Sequence, residues 1–222
     1  MILNEHQVNE KGIEDMKIEK FVLSSMGTNC YLLINTETKE LVVVDPATCP
    51  DYVLTHVKTN GYMPKAILLT HGHFDHVMGI SRWVEAFDIP VYLHEDEKEI
   101  LADASLNLSC RFGASYEYKN VIGLQDGDCL KVAGFEFQVI HTPGHTAGGC
   151  CYYEETQQVL MSGDTLFAQS VGRSDFPTGD ARTLIRSIKE KLFCLSDEVM
   201  VYPGHSQITC IGDERQFNPF VK

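Results

Sequence analysis

The sequence lacks long apolar runs and a surplus of basic residues, and each absence excludes a class of protein. No stretch approaches the roughly 20 apolar residues that span a bilayer, and the N-terminus has no basic region followed by an apolar one. The formal net charge is −13, which argues against a nucleic-acid partner because binding to a polyanion relies on clustered Lys and Arg. We therefore expect a cytoplasmic protein with no membrane partner and no nucleic-acid partner.

Paired cysteines of the kind that bind metals or form redox sites are also missing. The sequence has eight cysteines, and none of them forms a Cys-x-x-Cys motif. Scattered thiols of this kind fit a reducing compartment, where they behave as small apolar side chains. Cys150 and Cys151 are adjacent on a predicted strand and should face opposite sides, so we expect no disulfide between them.

One short segment is dense in metal-binding side chains. His71, His73, Asp75 and His76 fall within six residues, directly after the apolar run Ala66–Leu69. Such side chains are rarely buried without partners, and they are the donors that zinc and iron accept. Side chains two apart in an extended loop project to the same side, so His71 and His73 should share one ion. Asp75 and His76 should serve a second ion, and we place the whole segment on a loop after a strand.

Three more candidate ligands each follow a predicted strand. They are His145, Asp164 and His205, and a glycine stands directly before each of them. Glycine lets the backbone turn tightly just before the ligand. Each residue alone is a weak signal, but together with the histidine-rich segment they predict a site for two ions.

With these motifs, the sequence resembles the metallo-β-lactamase-fold hydrolases, in their glyoxalase II-like branch, from about Met16 to the C-terminus. The best-known subclass of antibiotic-hydrolysing lactamases has a cysteine near the position of Asp164, so the resemblance favours thioesterases and lactonases. The resemblance implies a first ion on His71, His73 and His145, a second ion on Asp75, His76 and His205, and Asp164 bridging the two.

The resemblance also implies an α/β fold, a four-layer αββα sandwich with the metals in a cleft at one edge of the two sheets. We expect residues 16–222 to form this catalytic domain and the polar residues 1–15 to be an N-terminal extension. Trp83 is expected in the core. Residue patterns predict antiparallel strands between 128 and 160 and helices over 50–60, 77–87, 95–103 and 180–195.

The expected activity is hydrolysis of a small thioester, with hydroxyacylglutathione-like compounds as the first choice of substrate. Two cations about 3.5–4 Å apart lower the pKa of a shared water to near 7, and the metal-bridging hydroxide would attack the carbonyl carbon. Asp75 and Asp164 are the predicted catalytic residues. Zinc is the expected metal, with iron and manganese as alternatives, because His and Asp sites accept all three.

Two other activities fit the same residues. The first is a persulfide dioxygenase, for which the resemblance implies a single iron on His71, His145 and Asp164. The second is a lactonase or another small-ester hydrolase. The sequence leaves the oligomeric state open.

Arg173 is the candidate substrate-binding residue. It lies in the loop 167–180, whose Gly-Arg-Ser-Asp core is similar to that of glyoxalase II-like proteins and persulfide dioxygenases. Its guanidinium has two possible roles, as a bidentate donor to a substrate carboxylate or as a structural partner of Asp175 or Asp180.

The substrate is expected to meet local loops. Full-length glyoxalase II has an extra C-terminal helical domain that contacts glutathione, whereas only residues 206–222 follow His205 here. We therefore expect the short, single-domain type, in which the rim of the cleft comes from the Arg173 loop and residues 104–120. The candidate rim side chains in the latter segment are Arg111, Phe112, Tyr116 and Tyr118.

Overall fold

The computed structural model describes residues 16–222, so the expected extension over residues 1–15 lies outside the described part of the chain. Two six-stranded sheets form the centre of the molecule. The first sheet has the order β1-β2-β3-β4-β5-β6, antiparallel from β1 to β3 and parallel from β3 to β6. Its strands are β1 Met16–Leu23, β2 Thr28–Asn35, β3 Glu40–Val44, β4 Met63–Leu68, β5 Val91–His94 and β6 Ile122–Leu124.

The second sheet has the order β14-β13-β10-β9-β8-β7, and a short hairpin, β11-β12, stands apart from it. Strands β7 to β10 pair antiparallel, which confirms the prediction for residues 128–160, whereas β10 and β13 pair parallel. The strands are β7 Cys129–Val132, β8 Phe135–His141, β9 Cys150–Glu154, β10 Val159–Gly163, β11 Leu166–Phe167, β12 Ser170–Val171, β13 Met200–Pro203 and β14 Thr209–Cys210.

Helices cover both outer faces of the paired sheets. They are α1 Asp51–Thr59, α2 Phe74–Val77, α3 Ile80–Phe87, α4 Lys98–Leu101, α5 Ala181–Ser187 and α6 Ile211–Phe217. No helix among residues 16–222 is long and apolar enough to cross a bilayer.

Three apolar clusters separate the four layers, and they confirm the αββα sandwich. On β2, Leu32 packs toward the cluster that contains Trp83 of α3, and Leu33 packs between the two sheets. The same alternation occurs on β9, where Cys150 faces the other sheet and Cys151 faces the cluster that contains α5. Strands buried on both faces in this way require apolar residues at consecutive positions, which explains the continuous runs in the sequence. Trp83 is fully buried, as predicted, and all eight cysteines are free.

The predicted helix 50–60 is confirmed as α1, but the helix predicted over 77–87 was wrong at its start. The structure has a short helix, α2, that begins at Phe74, and a second helix, α3, that begins at Ile80. A turn at Met78 and Gly79 lies between them, and position 79 requires glycine because a Cβ there would lie 2.7 Å from the carbonyl oxygen of Pro46. The second half of the histidine-rich segment is therefore helical, and our prediction of a loop for the whole segment was wrong.

The other two predicted helices are each interrupted. Residues 95–103 contain a 3₁₀ turn, Glu95–Glu97, before α4, and His94 accepts a hydrogen bond from the Asp96 N–H at its start. The helix predicted over 180–195 begins as α5, with Asp180 as its N-cap, and continues as a π-helical turn over Ile188–Leu192. Hydrophobic spacing does not separate these variants from a continuous α-helix.

Candidate metal centre

All seven predicted ligands lie where strands of the two sheets end, at one edge of the sandwich. The first sheet supplies four of them, directly after β4, and the second sheet supplies one each after β8, β10 and β13. Strand ends from both sheets meet at this edge, so residues far apart in sequence become neighbours. In chain order the ligands are His71, His73, Asp75, His76, His145, Asp164 and His205.

The first group of donors consists of three buried histidines. One ring nitrogen from each of His71, His73 and His145 lies within 4.8 Å of the others. Nδ1 of His73 is 2.9 Å from Nε2 of His145. We call these residues the first triad.

The second group combines a carboxylate with two histidines. Nε2 of His76 lies 3.3 Å from Nε2 of His205 and 3.5 Å from Oδ2 of Asp75. The same Asp75 oxygen lies 3.3 Å from Nε2 of His205. We call these residues the second triad. The structure groups the same residues that the resemblance assigns to two separate ions, and their role as metal ligands stays a prediction.

Asp164 stands between the two triads. Its Oδ1 lies 3.5 Å from Nε2 of His76 in the second triad. Its Oδ2 lies 3.5 Å from Nε2 of His145 and 3.5 Å from Nε2 of His205. A carboxylate with one oxygen shared in this way has the arrangement of a bridging ligand.

The donor set fits bound cations. Within the described chain, four buried side-chain nitrogen or oxygen atoms have no hydrogen-bond partner, and three of these belong to the centre, namely Nε2 of His71, Nε2 of His73 and Oδ1 of Asp164. Each unpaired buried polar atom costs about 1–3 kcal/mol, so their accumulation at one place indicates a ligand. Imidazole nitrogens and carboxylate oxygens are the donors that zinc, iron and manganese bind.

The protonation of the first triad suits metal binding. Burial lowers the pKa of His145, and it lowers the pKa values of His71 and His73 well below the ordinary value for histidine. All three imidazoles are therefore neutral near pH 7, as a metal ligand requires.

Three carboxylates in and around the second triad determine its electrostatics. Burial favours neutral His76, but Asp75, Asp164 and Asp45 outweigh it and raise the pKa of His76 to about 10. Burial likewise opposes ionisation of Asp75, yet His76 and His205 lower its pKa below the ordinary value. This half of the centre therefore attracts positive charge.

Asp45 supports the second triad and was missed in the sequence. Its Oδ2 lies 2.9 Å from Nδ1 of His76, and its two oxygens accept hydrogen bonds from the N–H and the hydroxyl of Thr70. A pattern in the sequence pointed to this residue, because Asp45 follows the apolar strand β3 just as the candidate ligands follow their strands. It lacks a neighbouring histidine or glycine, which made it less conspicuous.

Glu97 supports the first triad from a fully buried position. It accepts hydrogen bonds from the N–H of Gly72 at 2.8 Å, the hydroxyl of Thr146 at 2.9 Å and the N–H of Gly148 at 2.9 Å. Gly72 lies between two ligands, and Thr146 follows a third, so one carboxylate holds both ligand loops. Nothing in the acidic run from Glu95 to Glu97 distinguishes this residue from its exposed neighbours.

Strand β2 holds the second triad from the other side. The hydroxyl of Thr28 donates to Oδ2 of Asp75 at 2.7 Å. The side-chain amide of Asn29 donates to the carbonyls of Pro203 and Ser206, on either side of His205. Neither residue stands in a recognisable motif, so their roles were not predictable from the sequence.

The glycines before the ligands serve two different needs. Gly144 has a φ of +133°, a conformation that favours glycine, as the turn prediction requires. Gly204 is required for space instead, because a Cβ there would lie 2.3 Å from Oδ1 of Asp164 and 2.6 Å from Cε1 of His76.

Arg173 lies beside the first triad, and its side chain is paired. Its guanidinium donates to both carboxylate oxygens of Asp175, at 2.8 and 2.7 Å, which is one of the two roles left open by the sequence. The backbone carbonyl of Arg173 accepts a hydrogen bond from Nδ1 of His145 at 2.6 Å. The loop therefore orients a metal ligand, and a contact between the guanidinium and substrate stays a prediction.

His94 and His141 form a separate pair behind the centre. Their rings stack with centroids 3.9 Å apart and planes 9° apart. Nδ1 of His94 accepts from the Asp96 N–H, and Nε2 of His141 lies 2.9 Å from the carbonyl oxygen of Ala147. His141 thus holds the loop that carries His145, through the carbonyl of Ala147. Elsewhere, His56 is half-buried and pairs with Glu19 at 2.7 Å.

Residues 25–205 match the sequence profile of the metallo-beta-lactamase superfamily. The probable metallo-hydrolase YqgX of Bacillus subtilis is 38% identical over 208 residues, which cover 93% of this chain and 98% of the relative. The hydroxyacylglutathione hydrolase GloC of Haemophilus influenzae is 33% identical over 213 residues, with 93% and 98% covered.

Solved structures share the same architecture. The B3 metallo-beta-lactamase BLEG-1 superposes with a TM-score of 0.87 at 39% identity and covers 92% of this chain and 99% of its own. TTHA1623 in a di-iron-bound form gives a TM-score of 0.81 at 38% identity, with 90% and 98% covered. ETHE1 from Myxococcus xanthus gives 0.77 at 29% identity, with 92% and 84% covered.

Proposed function

The chain belongs to the metallo-beta-lactamase superfamily, and we propose that it is a dinuclear-metal hydrolase of small thioesters, similar to hydroxyacylglutathione hydrolases. The observation that carries the proposal is the position of Asp164, whose carboxylate lies 3.5 Å from histidines of both triads. The likeness to GloC supports a thioester as the substrate class. The likeness to a di-iron protein supports two ions, with zinc as our first choice and iron or manganese as alternatives.

The residues of the centre divide the work of hydrolysis. Two divalent ions held there would acidify a shared water and polarise the carbonyl oxygen of the substrate. Asp75, fixed by Thr28, would accept a hydrogen bond from the attacking water and orient it toward the carbonyl carbon. The neutral imidazoles of the first triad add no negative charge, which suits a site where an oxyanion develops.

A persulfide dioxygenase is the second candidate, and the likeness to ETHE1 favours it. The single iron expected for that activity would use His71, His145 and Asp164. Such an enzyme leaves the complete second triad, with its supports Asp45 and Thr28, without a ligand to bind. The dinuclear hydrolase uses all of these residues, which is why we prefer it. Hydrolysis of other small esters or lactones uses the same residues and stays an alternative.

The experiment is metal analysis by mass spectrometry on protein purified without chelator, followed by assays on the same sample. We expect two ions per chain, turnover of S-lactoylglutathione or a simpler thioester, and little turnover of a chromogenic β-lactam. The β-lactam assay is needed because BLEG-1 is a lactamase of similar structure. One iron per chain, with oxygen consumption on glutathione persulfide and no thioester hydrolysis, would overturn the proposal in favour of the dioxygenase.

A further inference from the structure

Phenylalanine side chains lie next to His73 of the first triad, and one of them stacks on a third, exposed phenylalanine. Phe176 contacts the ring of His73 edge-on, with centroids 5.7 Å apart. Phe74 follows His73 directly, and its ring stacks on Phe112 with centroids 4.4 Å apart and planes 22° apart. Phe112 is 56% exposed although it is large and apolar. An exposed aromatic surface beside a metal centre suits contact with a substrate.

Two guanidinium groups lie near the ring of Phe176, and they differ in whether a carboxylate neutralises their charge. Arg173 lies 3.8 Å from the ring centroid, and Asp175 neutralises it through two hydrogen bonds. Arg111 lies 6.0 Å from the same centroid. Among residues 16–222, the ion pairs of the structure include none with the Arg111 side chain, which is exposed and lies near the Phe176 ring. Its charge is therefore available to a ligand.

The segment that carries Arg111 is tethered to the metal-binding helix. The carbonyl of Asn107 accepts the N–H of Phe74, the first residue of α2, at 2.9 Å. The side-chain amide of Asn107 donates to the carbonyl of Tyr116 at 2.7 Å. Both ends of the segment 107–116 are thus fixed near the candidate ligands. Because the segment is already held in place, a substrate that binds to it loses less free energy in ordering the loop.

The two tyrosines predicted for the rim are less available to a ligand than Arg111 and Phe112. Tyr116 and Tyr118 are partly buried and pack against the cluster of the first sheet. The hydroxyl of Tyr116 lies 3.3 Å from that of Ser81. Of the four predicted rim residues in 104–120, Arg111 and Phe112 are the exposed ones.

We propose that Arg111, with Phe112 and Phe176, forms a carboxylate-recognition subsite beside the first triad. The ligand class is a small thioester with a free carboxylate, so the inference rests on the proposed function and narrows its substrate. A chain with a net charge of −13 repels anions at long range. An unpaired guanidinium that can bind a carboxylate through two hydrogen bonds would compensate for this repulsion locally, and the rings would cover the apolar part.

The test compares two non-hydrolysable probes by isothermal titration calorimetry on the metal-loaded protein. One probe is S-methylglutathione, a thioether with two carboxylates, and the other is its diethyl ester, which lacks them. The variant is Arg111→Gln, and the control is Arg182→Gln, which removes the same charge from an exposed arginine on α5. We expect Arg111→Gln to raise the Kd of the diacid at least tenfold and to leave the Kd of the diester within twofold.

The outcomes separate the subsite from the proposed function. An unchanged Kd for the diacid, or an equal loss for the diester, overturns the subsite, because the effect would then not depend on charge. An equal loss in Arg182→Gln overturns it as well, because the attraction would then be non-specific. Thioester hydrolysis is measured separately on the same preparations. Its absence in a protein that binds the diacid through Arg111 refutes the hydrolase and leaves the subsite standing.

Discussion

The carboxylate of Asp45 lies 2.9 Å from Nδ1 of His76, and neither residue is exposed to solvent. The contact fixes Nδ1 of the imidazole as the hydrogen-bond donor and turns Nε2 toward the second triad. A carboxylate behind a metal-binding histidine orients the ring and strengthens it as a ligand. The second triad is therefore oriented by a carboxylate outside the triad.

We expect Asp45→Asn to weaken metal binding at the second site by about 10–100-fold, the usual loss when such a support is removed. The asparagine amide would also present a donor where the N–H groups of Thr70 and His76 already donate. Metal titration against a chromogenic chelator measures the effect. Asp51→Asn, on an exposed residue paired with Arg82, is the control and should bind as the wild type does. Equal metal affinity in Asp45→Asn would contradict this role.

Glu97→Gln should lower the free energy of unfolding by about 1–3 kcal/mol, the cost of leaving a buried donor without an acceptor. The three donors around Glu97 would then face an amide that is itself partly a donor. Urea unfolding measures the change. Glu95→Gln, on the exposed side of the same turn, should leave the stability within about 0.5 kcal/mol, as usual at the surface.

Glu97 should also make the free energy of unfolding fall as the pH rises. Burial raises the pKa of Glu97 to about 7 from its ordinary 4.5. Between these values the folded chain holds a proton that the unfolded chain has released, so the contribution of Glu97 to stability falls as pH rises. Wild-type protein should therefore lose stability relative to Glu97→Gln from pH 4.5 to 7. A constant difference across this window would contradict the prediction.

Asp164→Ala should lower metal content and activity together, because its carboxylate faces both triads. Metal analysis and thioester turnover on one preparation measure both. His141→Ala is the control, since its ring contacts His94 and a backbone carbonyl and not the ligands, and it should keep its metals. A fully loaded and active Asp164→Ala protein would show that the bridge is misassigned.

Arg173→Ala should raise KM about tenfold and change kcat little, because a binding contact acts on the ground state and the transition state alike. Steady-state kinetics separate the two constants. Asp175→Ala distinguishes the roles of the pair, since it leaves the guanidinium in place. If both variants behave identically, Arg173 serves only to shape its loop.

The candidate ligands stand out in the sequence because metal binding restricts residue type severely, and the structure brings them together at one edge. Four donors within six residues have no packing explanation, and strand ends supply the others. The fold followed from the resemblance that these motifs carry, and alternating burial on β2 and β9 confirms it.

The supports of the ligands were less predictable, because their roles depend on tertiary distances. Asp45 and Glu97 act through hydrogen bonds to residues 25 to 51 positions away. The need for glycine at position 79 is equally non-local, since a Cβ there would meet the backbone of Pro46. A hydrophobic pattern contains none of this information.

The division of ligands between the sheets has a consequence for folding kinetics. Donors 71–76 belong to one sheet and donors 145–205 to the other, so each bound ion crosslinks the two sheets, as a disulfide would. The crosslink closes only after the sheets have docked, because contacts between distant residues form late. Interactions made late slow unfolding and leave the folding rate unchanged. A chelator should therefore shorten the lifetime of the folded chain without delaying its formation, and the fluorescence of Trp83 would report both rates.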